Sequence, residues 1–364
     1  MIRIVCTGGG TGGHIFPGIA VIEELRSLGV TDIIWIGARS GMDRTLVGSA
    51  GVPFIGIPSG KLRRYFSLLN FLDLFKIAAG LICSLYHLFR LRPALVFSKG
   101  GFVSVPPCLA ARILGIPLVT HECDFSPGLA TRINARWAKA VFVTYPETIQ
   151  WFSPRIAAHS EVTGNPVRGV FYSANRERGL NFLGFIDNSL PLLLVLGGSL
   201  GSRQINELIY ADLEYLARFF RVVHQCGSND SEFDVSVLPH QVQDRYRRLP
   251  FIGAEMPDVL AASDLVLARS GAGTVWECAV LGKPMVLIPL EKGASRGDQL
   301  ENARWFEQRG AAIVLSGSSV TSENLRTVLL KVRDDTRMPH ASAAIAAGRP
   351  AALAAARLVQ LAGG

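Results

Sequence analysis

The sequence predicts an α/β protein of two Rossmann-like domains, each built on a parallel sheet, with the two sheets facing a central cleft. Three observations predict it. Short, continuously apolar runs alternate with longer helix-period stretches, as expected for strands buried on both faces between helices. An apolar strand runs into a glycine-rich loop twice, first in "IRIVCTGGGTGG" and again, about half the chain later, in "LLLVLGGSLGS". A chain of 364 residues, 49% hydrophobic and 18% charged, can fill two cores of ordinary domain size.

Taken in order, candidate strands are Ile2–Cys6, Ile33–Ile36, Leu95–Phe97, Leu118–Thr120 and Val141–Val143, then Leu192–Leu196, Val222–Gln225, Leu265–Ala268, Met285–Ile288 and Ala312–Leu315. The domain boundary is expected near "VTGNPVRG" (Val162–Gly169), giving domains 1–166 and 167–340. A C-terminal helix over 341–364 can pack back on the first domain. Ligands of such sheets bind beyond the carboxyl ends of the strands, so the site is expected in the cleft.

Charge is uneven. Residues 1–166 hold 16 Lys/Arg and 9 Asp/Glu, a net of +7; residues 167–364 hold 21 and 20, a net of +1. The first half is therefore expected to meet something anionic. One segment there, Lys61–Arg92, is apolar yet carries six Lys/Arg against Asp73 alone. Asp73 and Lys76 interrupt it, which argues against a membrane span. It reads as a buried helix pair or as an apolar patch ringed by Lys61, Arg63, Arg64, Arg90 and Arg92 that rests on an anionic membrane. No aromatic stacking platform interleaves with the basic residues, so nucleic acid is not expected as a partner. Six scattered cysteines without a CxxC fit reduced thiols in the cytoplasm, and no secretion signal opens the chain.

The glycine loops carry the chemistry. Gly8, Gly10 and Gly13 satisfy G-x-G-x-x-G, but the second strand ends "IIWIGARSG" with no carboxylate before Asp43, which removes most of the case for a nicotinamide or flavin enzyme. What remains is a tight turn or a cradle of helix-terminal amides for an anion. His14 opens the following helix, where the dipole disfavours its charged form; it reads as a general base or as a packing residue. "GGSLGS" (Gly197–Ser202) repeats the cradle, with Ser199 adding a hydroxyl. "ARSGAGTVWE" (Ala268–Glu277) offers amides at Gly271, Ala272, Gly273 and Thr274 and a carboxylate, Glu277, suited to sugar hydroxyls. Two amide sites and a ribose-type carboxylate point to a nucleoside diphosphate. No DxD, HExxH or Cys/His cluster is present, so no metal and no cofactor are expected, and helix amides with Arg168 would hold the departing diphosphate.

In order along the chain, "GGGTGGHIFPG", "SKGGFVSVP", "HECDFSPGLATR", "GNPVR", "GGSLGS", "FIGAEM", "RSGAGTVWE" and "GDQLENA" resemble the MurG family, the membrane-associated N-acetylglucosaminyltransferases of peptidoglycan lipid II synthesis. The resemblance spans nearly the whole chain. It implies the two-domain GT-B architecture and an inverting transfer of N-acetylglucosamine from UDP-GlcNAc to the 4-hydroxyl of MurNAc in undecaprenyl-linked lipid I. By the same resemblance, the donor meets Arg168, Ser199, Ile252 near the uracil, Ala272, Gly273, Thr274, Val275, Trp276, Glu277 and Gln299, with Thr11, Gly12 and Gly13 reaching it from the first domain. The acceptor lies near Lys99, Gly100, Gly101 and Ser104, and His14 and Asp124 are the catalytic candidates. The implied location is the cytoplasmic face of the cell membrane, with other cell-wall synthesis or division proteins as candidate partners. Many family members read H-E-Q-N where this chain reads "HECD". An ionised Asp124 can only accept hydrogen bonds, so it orients His14, contacts a sugar hydroxyl, or marks a different donor contact. A relative using another acceptor, an oxidoreductase and a non-catalytic sugar-nucleotide or lipid-binding module are the alternatives.

Overall fold

A computed structural model describes residues 2–60, 68–187, 189–198, 201–228, 230, 233–291 and 296–363. The chain divides into two compact units, Met1–Arg168 with Gly348–Gly364, and Gly169–Ala347.

Unit 1 holds seven parallel strands, β1 Arg3–Thr7, β2 Asp32–Ala38, β3 Phe54–Ile57, β4 Leu95–Ser98, β5 Leu118–Glu122, β6 Ala140–Val143 and β7 Ser160–Val162, in the order β3-β2-β1-β4-β5-β6-β7. Unit 2 holds six, β8 Leu192–Leu196, β9 Arg221–Gln225, β10 Tyr246–Leu249, β11 Leu265–Ala268, β12 Met285–Leu287 and β13 Ala312–Val314, in the order β10-β9-β8-β11-β12-β13. Both are doubly wound sheets. The order reverses between β1 and β4 in one and between β8 and β11 in the other, and at such switch points the loops part to leave a crevice. Each glycine loop of the sequence leaves a strand at one of these points.

The three strands absent from the sequence reading, β3, β7 and β10, are all at sheet edges. Their residues, "FIGI", "SEV" and "YRRL", are only partly buried, so they lack the unbroken apolar run of a strand covered on both faces. The segment expected as one helix from residue 341 is two, Met338–Ile345 in unit 2 and Pro350–Gly363 in unit 1. Gly348, at φ 98°, and Pro350 make the break, because glycine takes the left-handed turn that ends a helix and proline suits the first turn of the next. Ala354, Ala355, Leu358 and Leu361 of the last helix join the core of unit 1 beside Ile15, Ile19 and Ile22 of the Gly12–Ser27 helix. Small alanines permit that close approach. A bidentate ion pair from Arg357 to Glu161, at 2.9–3.1 Å, ties the same helix to β7.

The expected helix pair in the basic, apolar segment is a single helix over its described part, Leu68–Leu91; Lys61, Arg63 and Arg64 lie outside the described residues. Gly80, Ser84 and Leu88 are buried, while Phe75, Ile82 and Phe89, seven apart, are 62%, 69% and 63% exposed. Seven residues make about two turns, so these three form one stripe. One face of the helix is therefore buried and the opposite one is an exposed apolar stripe, in place of the expected buried pair. Asp73–Leu91 is long and apolar enough to cross a membrane by length and composition.

Candidate active site

In unit 1 the site begins with a loop held from below. Gly8, Gly9 and Gly10 leave β1 with φ of 148°, 153° and 87°, and a Cβ on Gly9 would stand 1.9 Å from Asp43 Oδ2. The Asp43 carboxylate, 1% exposed, accepts from the Gly10 amide at 3.0 Å and the Ala38 amide at 2.9 Å. The first carboxylate after β2 is thus a clamp on the glycine loop, with both oxygens turned inward rather than toward a ribose. Trp35 Nε1 donates to Gly8 O at 3.1 Å from the same side. With the loop pinned, Thr11 caps the Gly12–Ser27 helix without a side-chain hydrogen bond, and the amides of Gly12 and Gly13 open it.

His14 follows, half-buried, with Nδ1 3.1 Å from the Lys99 carbonyl. A carbonyl only accepts, so Nδ1 carries the proton and Nε2 of the neutral ring carries the lone pair. The Lys99–Gly101 loop after β4 wraps this ring. Gly100 and Gly101 sit at φ 79° and 78°, and a Cβ on Gly101 would meet Gly9 O at 2.4 Å and His14 Cδ2 at 3.0 Å. The Arg168 guanidinium lies 4.6 Å from the centre of the Phe16 ring, two residues beyond His14. Unit 1 therefore gathers Thr11, Gly12, Gly13, His14, Gly100, Gly101 and Arg168 around one switch point.

Two residues expected beside the acceptor face inward instead. Lys99 is 1% exposed, and its Nζ meets His121 Nδ1 at 2.7 Å and Cys123 Sγ at 3.0 Å. His121 Nε2 donates to Gly164 O at 3.0 Å, and burial with the Lys99 cation holds its pKa well below the usual histidine range. Lys99 thus serves His14 through its carbonyl, not an acceptor through its ammonium. Ser104 is fully buried, donating to Gly101 O at 2.8 Å and accepting from Asn134 Nδ2 at 2.9 Å; it shapes the glycine turn.

The "HECD" stretch is set by Glu122. Its carboxylate, 3% exposed, accepts from the amides of Cys123, Asp124 and Gly128 at 2.9–3.0 Å. Asp124 is presented by that turn, half-buried. The partner of His14 Nδ1 is the Lys99 carbonyl, a backbone group. Burial pushes the Cys123 thiol up to about 11, which keeps it protonated and unreactive at neutral pH.

In unit 2, the loop after β8 shows Gly198 and Gly201 at φ 92° and 81°, joined by Gly201 N–H to Gly198 O at 3.1 Å; Ser199 lies outside the described residues. Ser202 caps the Arg203–Leu216 helix, accepting from Ile205 N–H and from Arg269 NH2, the latter at 2.7 Å. Arg269 brings a partly buried guanidinium to the switch point. After β11, Gly271 caps the Ala272–Val280 helix without a side-chain hydrogen bond, so the first amides, through Gly273 and Thr274, face out of its N-terminus, where an anion is favoured. Glu277 stands half-buried farther along that helix.

Val275 and Trp276, expected among the donor contacts, turn their side chains inward. Both are buried, Val275 N–H is used by Gly271 O at 3.2 Å, and Trp276 packs against Trp305 and Phe306. Ile252 is 2% exposed and its N–H donates to Gln225 Oε1 at 3.0 Å. Gln299 Oε1 accepts from Leu290 N–H at 3.1 Å, which orients its amide. Among the described residues no group of three His, Cys, Asp or Glu could hold a metal ion.

Family models for the N-terminal and C-terminal domains of glycosyltransferase family 28 match residues 4–143 and 192–358. The chain belongs to glycosyltransferase family 28. It is 49% identical to a Treponema denticola protein over 96% of this chain and 95% of that one. It is 51% identical to one of Treponema pallidum over 90% of this chain and 86% of that one. Both relatives are named UDP-N-acetylglucosamine–N-acetylmuramyl-(pentapeptide) pyrophosphoryl-undecaprenol N-acetylglucosamine transferase. Among solved structures, Acinetobacter baumannii MurG aligns with a TM-score of 0.73 at 26% identity, over 99% of each chain. Asp43, Glu122, Gln225 and Arg269 were not singled out in the sequence for the roles they take here. Only Asp43 left a signal, as the first carboxylate after β2.

Proposed function

We propose that this chain transfers N-acetylglucosamine from UDP-N-acetylglucosamine to the 4-hydroxyl of N-acetylmuramic acid in undecaprenyl-pyrophosphoryl-MurNAc-pentapeptide, the conversion of lipid I to lipid II. The relatives' names and the family 28 match support the substrates. The observation that carries the mechanism is His14 held through Nδ1 by the Lys99 carbonyl.

His14 Nε2 takes the proton of the attacking hydroxyl. The oxygen so activated attacks the anomeric carbon from the face opposite the diphosphate, and the bond from that carbon to the diphosphate oxygen breaks with its electron pair leaving on UDP. The configuration at the anomeric carbon inverts. A positioned base contributes ~10²–10⁴-fold in such a step. Negative charge grows on the leaving diphosphate, where the Gly273 and Thr274 amides supply fixed donors and Ser199, by the family resemblance, adds a hydroxyl. Glu277 accepts from ribose hydroxyls, Gln299 contacts a hydroxyl of the transferred sugar, and Ile252 lies on the uracil side. Thr11, Gly12, Gly13, Arg168 and Asp124 complete the donor contacts, and Gly100 and Gly101 the acceptor side. The test follows UDP release with UDP-N-acetylglucosamine and a lipid I analogue in the presence of a chelator. Release that depends on the acceptor and persists with chelator is expected. UDP release without acceptor, or none at all, would refute the assignment.

The same reading places unit 1 against an anionic membrane surface. The Phe75–Ile82–Phe89 stripe is one support. The other is an open concavity of about 650 Å³ lined by Arg112, Arg136, Lys139 and Arg155 around Trp137 and Ile156, with no carboxylate in its lining. None of the four cations makes an ion pair among the described residues. Unpaired cations in a concavity beside apolar surface suit acidic headgroups. Each basic residue near such a surface contributes about 1 kcal/mol. Arg112→Glu with Arg136→Glu should therefore weaken binding to phosphatidylglycerol vesicles by more than tenfold at low salt, as read by co-sedimentation. Unchanged binding would remove this face from the membrane.

A further inference from the structure

Gln225, the last residue of β9, is 4% exposed and spends its amide on two loops of unit 2. Its Nε2 donates to Gly198 O at 3.2 Å, and its Oε1 accepts from Ile252 N–H at 3.0 Å. Gly198 O also takes the Gly201 amide, so one oxygen closes the glycine turn and receives the glutamine. The fit around the turn is tight, since a Cβ on Gly201 would stand 2.1 Å from Cys226 O.

The end of the second strand is where dinucleotide folds place the acidic residue that holds a ribose. Here that position carries a buried amide turned toward the loops. In a doubly wound sheet the phosphates meet the glycine loop after the first strand. In unit 2 that is the loop after β8, so Gly198 lies on the phosphate side, and the proposed donor contacts put Ile252, in the loop after β10, on the nucleoside side.

We propose that Gln225 is a positioning residue of the donor site, its donor arm setting the phosphate-side turn and its acceptor arm setting the nucleoside-side loop. The proposal rests on the reading of unit 2 as the UDP site. Asp43 is its counterpart in unit 1, binding the glycine loop and the end of β2 together.

Because the arms are chemically different, they can be separated. Gln225→Glu keeps an acceptor for Ile252 N–H and loses the donor to Gly198 O, setting two acceptors against each other. Gln225→Met removes both arms without adding charge. Titration of each full-length variant with UDP and with uridine, followed by calorimetry, reads the two sides independently. Q225E should lose at least tenfold in UDP affinity while uridine affinity stays within twofold. Q225M should weaken both ligands. Equal losses for UDP and uridine in Q225E would mean a general structural role and overturn the proposal, as would unaltered UDP binding by Q225M. If the unaltered protein binds no UDP, the donor reading itself fails and takes this inference with it; UDP binding by the unaltered protein with an unchanged Q225E removes only the role of Gln225. Should Q225E not fold, as judged by circular dichroism, the Q225M result decides alone: UDP and uridine must both weaken for the proposal to stand.

Discussion

Replacing His14 by alanine is expected to lower kcat by ~10²–10⁴-fold, the range for losing a positioned general base, while UDP still binds with nearly unaltered affinity. The expectation follows from how the ring is held. Its Nδ1 proton is committed to the Lys99 carbonyl at 3.1 Å, which leaves Nε2 as the site of proton uptake. The ring packs against Gly101, which admits no Cβ, and alanine at position 14 would open space there without adding a clash. His14→Gln separates the two functions of the side chain, because it can still hydrogen-bond but cannot take a proton near pH 7; it should be nearly as slow as H14A. A glutamine variant with more than a tenth of the original kcat would show that His14 positions substrate rather than removing a proton.

Asp43→Asn is expected to cost ~2–4 kcal/mol in stability. The carboxylate accepts two amides from a site that is 1% exposed. Asparagine has one acceptor oxygen, so its NH2 must face a backbone N–H and one buried donor loses its partner. An unsatisfied buried group costs about 1–3 kcal/mol, and more where the lost bond was to a charge. The Gly9 position leaves no room to relax, since a Cβ would already overlap the carboxylate. Urea unfolding monitored by tryptophan fluorescence measures the loss through Trp35, whose indole donates to Gly8 O in the same loop. Activity should fall as well, because the amides beside His14 are held by this clamp. A D43N protein within 0.5 kcal/mol of the original would contradict the clamp.

How far the residues could be read in advance depended on the range of the interaction. Strands such as Leu192–Leu196 and Leu265–Ala268 declare themselves because both faces are covered and every residue must be apolar. The edge strands β3, β7 and β10 answer to partial exposure and leave no such mark. The glycine loops were legible because positive φ and close backbone contact demand a missing side chain. Val275 and Trp276 sit inside a matched motif and still point into the core, since a motif fixes backbone spacing and says little about which side of a helix meets the ligand.

The linear chain alone determined the two doubly wound halves, the glycine loops at their switch points, the family, and His14 at the mouth of a helix. All of these rest on contacts between near neighbours or on the period of burial. Tertiary structure alone decided that Lys99 and Ser104 turn inward, that Asp43, Glu122 and Gln225 hold the loops, and that the C-terminal segment breaks into two helices, one in each unit. Several of those outcomes depend on hydrogen bonds between residues far apart in the chain, such as Gly10 to Asp43 over 33 residues and Ile252 to Gln225 over 27. A buried polar side chain goes where a backbone partner awaits it, and only the folded layers bring that partner within reach.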